Sequence, residues 1–214
     1  MQPSSGYSVP YKKAVKAFMR PSARGVDRIE LEQGTSCLPR CFNLLLCDAI
    51  NHSRHNPITH LALIHDDVAP EGPWLDVLLD ELDRTGADMV SAVVPIKSKL
   101  GLTSTAVDDP ANPWLMRRLT MSEVFSLPET FGADDVQWNK DGGCLLVNSG
   151  LWVARFDMGW IEPFIDSERR GDGQSGFRFL NRIVKAPDGQ YTSQDICEDW
   201  DFARQLHALG RRAV

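Results

Sequence analysis

Apolar residues recur along this chain at two spacings, and the alternation between them sets the first expectation of fold. Residues 11–19, YKKAVKAFM, place Tyr11, Val15, Phe18 and Met19 at helical spacing with lysines opposite. Pro21 and Gly25 break that helix, and VDRIELEQG then reads as a strand ending at Gly34. The run LPRCFNLLLCDAIN sets Leu38, Phe42, Leu45, Leu46 and Ala49 on one helical face. An apolar strand climbs through Leu61, Ala62, Leu63 and Ile64 and stops at His65-Asp66-Asp67. A helix over roughly 73–84 follows, with Leu75, Leu78, Leu79 and Leu82 as its buried stripe and Gly86 as its end.

The near-continuous apolar run DMVSAVVPI is the pattern of a strand covered on both faces, and LTSTAV reads as another strand. Residues 108–135 and 166–194 lose periodicity and gain Pro, Gly and Asp, which predicts long functional loops. Between them CLLVNSGLWVARFD has strand composition. The chain closes on EDWDFARQLHALG, whose Phe202, Leu206 and Leu209 line one helical face. Strand–helix alternation of this kind predicts an α/β fold with right-handed crossovers.

Composition narrows the class only a little. The chain has 214 residues, 43% hydrophobic and 24% charged, as in ordinary soluble domains. A net charge of −6 argues against a broad nucleic-acid footprint, although Arg117-Arg118, Arg169-Arg170 and Arg211-Arg212 leave local basic patches. The five cysteines Cys37, Cys41, Cys47, Cys144 and Cys197 include no Cys-x-x-Cys pair, the pattern of reduced thiols in a cytoplasmic protein. No apolar run approaches membrane-spanning length, and the first residues lack a signal-peptide core.

The chemistry concentrates at strand and helix ends. In open α/β sheets ligands bind beyond the carboxyl ends of strands, where His65, Asp66 and Asp67 lie. Two adjacent carboxylates suit Mg²⁺ or Mn²⁺, which take oxygen ligands and bridge to phosphates; the alternative is a solvated turn before Pro70. Glu198 and Asp199 open the last helix, where acids also favour the helix dipole. Asp141-Gly142-Gly143-Cys144 allows close backbone approach to a ligand, or simply a bulge. Trp138, Trp152 and Trp200 flank these segments as sugar-stacking candidates or as core, and mid-helix His207 reads as a surface residue.

Taken in order, Gly34-Thr35-Ser36 with Asn43, the acidic strand end, VSAVVPIK, DGGCLLVNSGLW and EDWDFARQLHALG resemble the GT-A glycosyltransferases. The resemblance is to the short bacterial and phage proteins related to the large inverting family-two group, and it covers about Pro3 to Gly210. It implies a mostly parallel, Rossmann-like sheet flanked by helices in a single domain, with a nucleotide-sugar and metal-binding half at 1–107 and an acceptor-binding half at 108–214. His65-Asp66-Asp67 stands where that fold carries Asp-x-Asp. Asp67 would ligate Mn²⁺ or Mg²⁺ on the donor diphosphate, His65 would join it or meet the ribose, and Asp66 would lie near the ribose. Pro3, Ser4, Ser5, Thr35, Ser36, Asn43, Lys97, Gly142 and Gly143 would hold the donor. Asp199 would take the proton of the acceptor hydroxyl, with Glu198 as acceptor ligand.

The sequence departs from the family pattern at His65, usually Asp, and at Phe42, usually Arg before the Asn. It also shows neither the family's apolar strand ahead of Pro3 nor its metal-binding His beyond the last helix. The acceptor class stays open among glycan, protein, metabolite and modified nucleobase in DNA, as does assembly into an oligomer. A nucleotidyltransferase, or a non-catalytic nucleotide-sugar binding subunit, are the alternatives to a transferase.

Overall fold

The computed structural model describes residues 9–31, 37–96, 98–171 and 173–214. In chain order the elements are α1 (Val9–Phe18), α2 (Leu38–Ser53), β1 (His60–Ile64), α3 (Trp74–Thr85), β2 (Met89–Ser91), β3 (Leu102–Asp109), β4 (Asn112–Thr120), α4 (Met121–Val124), β5 (Leu145–Leu146), β6 (Leu151–Arg155), α5 (Met158–Ile165), α6 (Ser167–Arg170), β7 (Leu180–Lys185), β8 (Tyr191–Ile196) and α7 (Glu198–Ala208). The helices predicted at 11–19, 38–51, 73–84 and 198–210 form close to their expected bounds. Helix α3 stops where Gly86 turns left-handed (φ +64°) and donates its N–H to the Leu82 carbonyl at 3.1 Å.

The central sheet has the order β1-β6-β2, and both neighbours run antiparallel to β6. Leu151 and Val153 pack on one face with Ile64, Val90 and the α3 residues Leu75, Leu78, Leu79 and Leu82. Trp152 and Ala154 point the other way, into a core with Met89, Phe42, Leu46, Trp160 and Phe202. Helices therefore cover both faces, and each buried aliphatic contributes about 1.5–3 kcal/mol. On the β2 side the sheet is closed by the C-terminal residues: Ser91 N–H donates to the Val214 carbonyl (2.9 Å) and Val214 N–H to Met89 (3.1 Å).

The expectation of a mostly parallel, Rossmann-like sheet is overturned. Every strand pair is antiparallel, and among the described residues the one parallel contact is the bridge between Met89 and Ala213. The apolar run at 151–154 reports cover on both faces; it carries no information on strand direction. The run DMVSAVVPI yields only the three residues of β2. CLLVNSGLWVARFD divides between two sheets, because β5 joins the order β4-β3-β5 and β6 the central sheet.

Both supposed loops also hold structure. Residues 108–135 contain β4 and the α4 capping box, in which Thr120 and Glu123 satisfy each other's backbone N–H groups. Residues 166–194 contain α6 and much of the β7–β8 hairpin. Conversely, residues 26–31 form no strand. Positions 32–34 of that predicted strand lie outside the described residues.

Candidate functional site

The strand ends and the start of α7 meet around one turn, Val147-Asn148-Ser149-Gly150. His65 donates its backbone N–H to the Gly150 carbonyl at 2.9 Å, extending the β1–β6 ladder by one residue. The adjacent Ser149 donates its N–H to Asp199 Oδ2 at 3.2 Å. Asn148 locks the turn: Oδ1 accepts from Gly150 N–H (2.8 Å) and Nδ2 donates to the Ala92 carbonyl beyond β2 (2.5 Å). A Cβ at Gly150 would press on that Oδ1 at 2.9 Å, and on Val68 and Val94 at 3.3 Å, so only glycine fits. The ends of β1 and β2 and the N-terminus of α7 thus share one corner of the molecule.

Within it the acids differ in setting. Asp66 is buried, whereas Asp67 is exposed and, among the described residues, has no hydrogen bond or ion pair. His65 stacks on Phe42 (centroids 5.5 Å apart, 22° between planes), and its enclosed Nε2 has no partner among the described residues. Burial pushes its pKa below the ordinary value against the opposing pull of Asp67, so the ring is neutral at pH 7.

Asp199 is held on several sides. Besides Ser149 it accepts from Trp200 N–H at 2.8 Å and from the Cys197 thiol. Burial raises its pKa, opposed by the charge of Arg118, which lies over the Trp200 ring at 4.3 Å and donates to the Thr103 carbonyl. Glu198 is 5% exposed and has no guanidinium or ammonium partner among the described residues. Burial, reinforced by the charge of Asp199, lifts its pKa to about 7. Trp200 ties the corner to β3, donating Nε1–H to the Ser104 carbonyl (3.1 Å), and Thr103 Oγ1 in turn binds β3 to β4 at the Leu119 carbonyl (2.8 Å).

Other predicted contacts are occupied by the fold itself. Asn43 uses both amide atoms on Phe177, donating to its carbonyl at 2.9 Å and accepting its N–H at 2.8 Å. It therefore anchors the segment before β7. Gly142 is left-handed (φ +74°), and a Cβ at Gly143 would overlap the Asp108 carbonyl, so this pair packs a bulge against β3. Cys144 beside it is a core thiol pushed up to about 12 by burial. Trp152 and Trp200 are buried, and half-buried Trp138 lies under Arg117 at 4.1 Å, so none offers a bare sugar-stacking face. Exposed His207 stays on the surface, as expected. Pro3, Ser4, Ser5, Thr35, Ser36 and Lys97 lie outside the described residues.

Sequence inspection gave no role to Asn148 and Ser149 and read Arg118 only as part of a basic patch; the signal available for the turn was an Asn and a Gly interrupting an apolar run. Among the described residues no three His, Cys, Asp or Glu side chains converge into a ready-made metal cage. The donor set that remains is the free carboxylate of Asp67. That fits a hard cation held jointly with substrate phosphates, the usual way Mg²⁺ is bound. None of the described helices is long and apolar enough to cross a membrane. No protein-family model, curated protein or solved structure matches the chain.

Proposed function

We propose that the chain is a metal-dependent glycosyltransferase that moves a sugar from a nucleotide-sugar donor to an acceptor hydroxyl. The observation that carries this is the corner itself. At one turn Ser149 bonds Asp199 and Gly150 bonds His65, which brings to one corner the exposed carboxylate of Asp67, without a partner among the described residues, and the buried, cation-free carboxyl of Glu198. One carboxylate has the properties of a phosphate-side cation ligand, and the other those of a proton acceptor tuned to neutral pH.

The roles of the two acids at 198–199 are exchanged relative to the expectation from sequence. Asp199 is engaged by Ser149, Trp200 and Cys197, so it positions the turn and raises the basicity of its neighbour. Glu198 accepts the acceptor hydroxyl proton as the new bond forms at the anomeric carbon and the bond to the nucleoside diphosphate breaks. Mn²⁺ or Mg²⁺ held by Asp67 would supply charge neutralisation for the diphosphate. Neutral His65 beside it adds no competing cation.

Ligand-observed NMR with a panel of nucleoside diphosphates and nucleotide sugars, with Mn²⁺ or with EDTA, tests the donor half. Metal-dependent binding that Asp67→Ala weakens at least tenfold is the expected result. No binding by the wild type under either condition overturns the proposal.

A further inference from the structure

A cavity of about 280 Å³ is lined by the whole of β1, the edge strand of the central sheet, and reaches Trp152 of β6 on one face. One wall is α2, through Leu38, Leu45 and Leu46; the other is α3, through Trp74, Leu75 and Leu79. These belong to the two layers that cover opposite faces of the central sheet. The far side is the irregular segment 26–31. The cavity is thus the width of the sheet layer itself, continued past its last strand.

The ladder shows what the edge lacks. His65 pairs with Gly150 and Thr59 with Phe156, so the residues bonded to β6 are 59, 61, 63 and 65. The backbone N–H and C=O groups of His60, Ala62 and Ile64 therefore point at the cavity and have no partner among the described residues. Residues 26–31 likewise make no backbone hydrogen bond there, and Val26 and Ile29 stay exposed. A lipid-like ligand would fit the walls but would leave these polar groups desolvated and unpaired. A peptide strand satisfies both requirements, placing alternate side chains against α2 and α3.

We propose that this cavity receives a β-strand of about five residues from a partner polypeptide, added beside β1. The far side carries Asp27, Arg28 and Glu30, but the six wall residues on α2 and α3 are apolar, so the side chains of the incoming strand that meet them are apolar on both faces. Among the described residues this chain exposes no strand of that kind: β7 carries Asn181, Arg182 and Lys185, and β8 is polar from Thr192 to Asp195.

The test uses the whole chain and the synthetic peptide Ac-Lys-Lys-Gly-Val-Ile-Val-Ala-Ile-Gly-Lys-Lys-NH2, followed by residue-resolved amide exchange. Without peptide, the amides of 60, 62 and 64 exchange at least tenfold faster than those of 61 and 63; with it, they slow by at least tenfold. Ala62→Pro removes an N–H that β6 does not use, so the variant folds and its affinity for the peptide drops at least tenfold. Three results overturn the proposal. One is slow exchange at 60, 62 and 64 in the free protein. Another is unchanged peptide affinity in Ala62→Pro. The third is protection of the same amides that rises with protein concentration alone, which would make a second copy the occupant.

Discussion

Two buried acids one turn apart on α7 have opposite surroundings. Asp201 is 4% exposed and meets two guanidiniums, Arg178 Nε at 3.0 Å and Arg170 Nη1 at 3.3 Å. Asp108, on β3, is treated the same way by Arg204 at 2.9 Å. Glu198 is buried to a similar degree with no cation beside it. A fold that pairs Asp201 and Asp108 with arginines and leaves Glu198 without one is keeping Glu198 able to take and release a proton near pH 7. The difference separates acids that hold the molecule together from one available for chemistry.

Breaking the Asp201 side of that contrast has the largest effect. Asp201→Ala removes the buried carboxylate that two enclosed guanidiniums share and should cost about 3–5 kcal/mol in denaturant unfolding; a loss below 1 kcal/mol would erase the distinction drawn above. Glu198→Gln acts in the other direction. Its folded pKa of about 7 exceeds the ordinary 4.5, so between those values the folded state binds the extra proton. Stability from this group is full below pH 4.5 and is lost as pH rises through 7, by about 3 kcal/mol. Glu198→Gln should remove that slope between pH 5 and 8 and be more stable than wild type at pH 8. The same variant should lower donor turnover at least 100-fold with donor binding unchanged, while wild-type turnover rises through about pH 7.

Asp108→Asn loses the Arg204 pair and weakens the acceptor of Cys144 N–H (2.7 Å), a cost of about 2 kcal/mol by thermal unfolding. At the small end, Arg117 pairs with Glu123 at 2.5 Å on the surface. Arg117→Ala should change stability by less than about 1 kcal/mol, and a larger cost would mean that exposure does not sort this protein's ion pairs.

Sequence pattern made the long helices legible because their stripes repeat over several turns: Leu75, Leu78, Leu79 and Leu82 all face one core. It failed on β4, where Pro113, Leu115 and Arg117 lie on an exposed face and half-burial blurs the alternation. It failed on β7 and β8 for the same reason, since Ile183 and Tyr191 stay outside the core. The site was half legible. An acidic strand end and an acidic helix start stand out in any sequence. Which acid has a guanidinium depends on Arg170 and Arg178, 31 and 23 residues from Asp201, and local pattern has no access to that. Asn43 entered only through the resemblance, as a donor contact; its partner Phe177 lies 134 residues away.

The placement of β6 between β1 and β2 bears on how the chain is made. The middle strand of the sheet comes roughly ninety residues after the strand it first touches, a separation that slows closure. As the polypeptide leaves the ribosome, β1 and β2 emerge with no neighbour to bond to, and they wait until residue 155 has been synthesised. During that interval the apolar faces of α2 and α3 have no sheet to rest on, a state exposed to chaperones and to aggregation. Early stop codons anywhere before Leu151 would therefore yield products without this sheet rather than a shortened version of it.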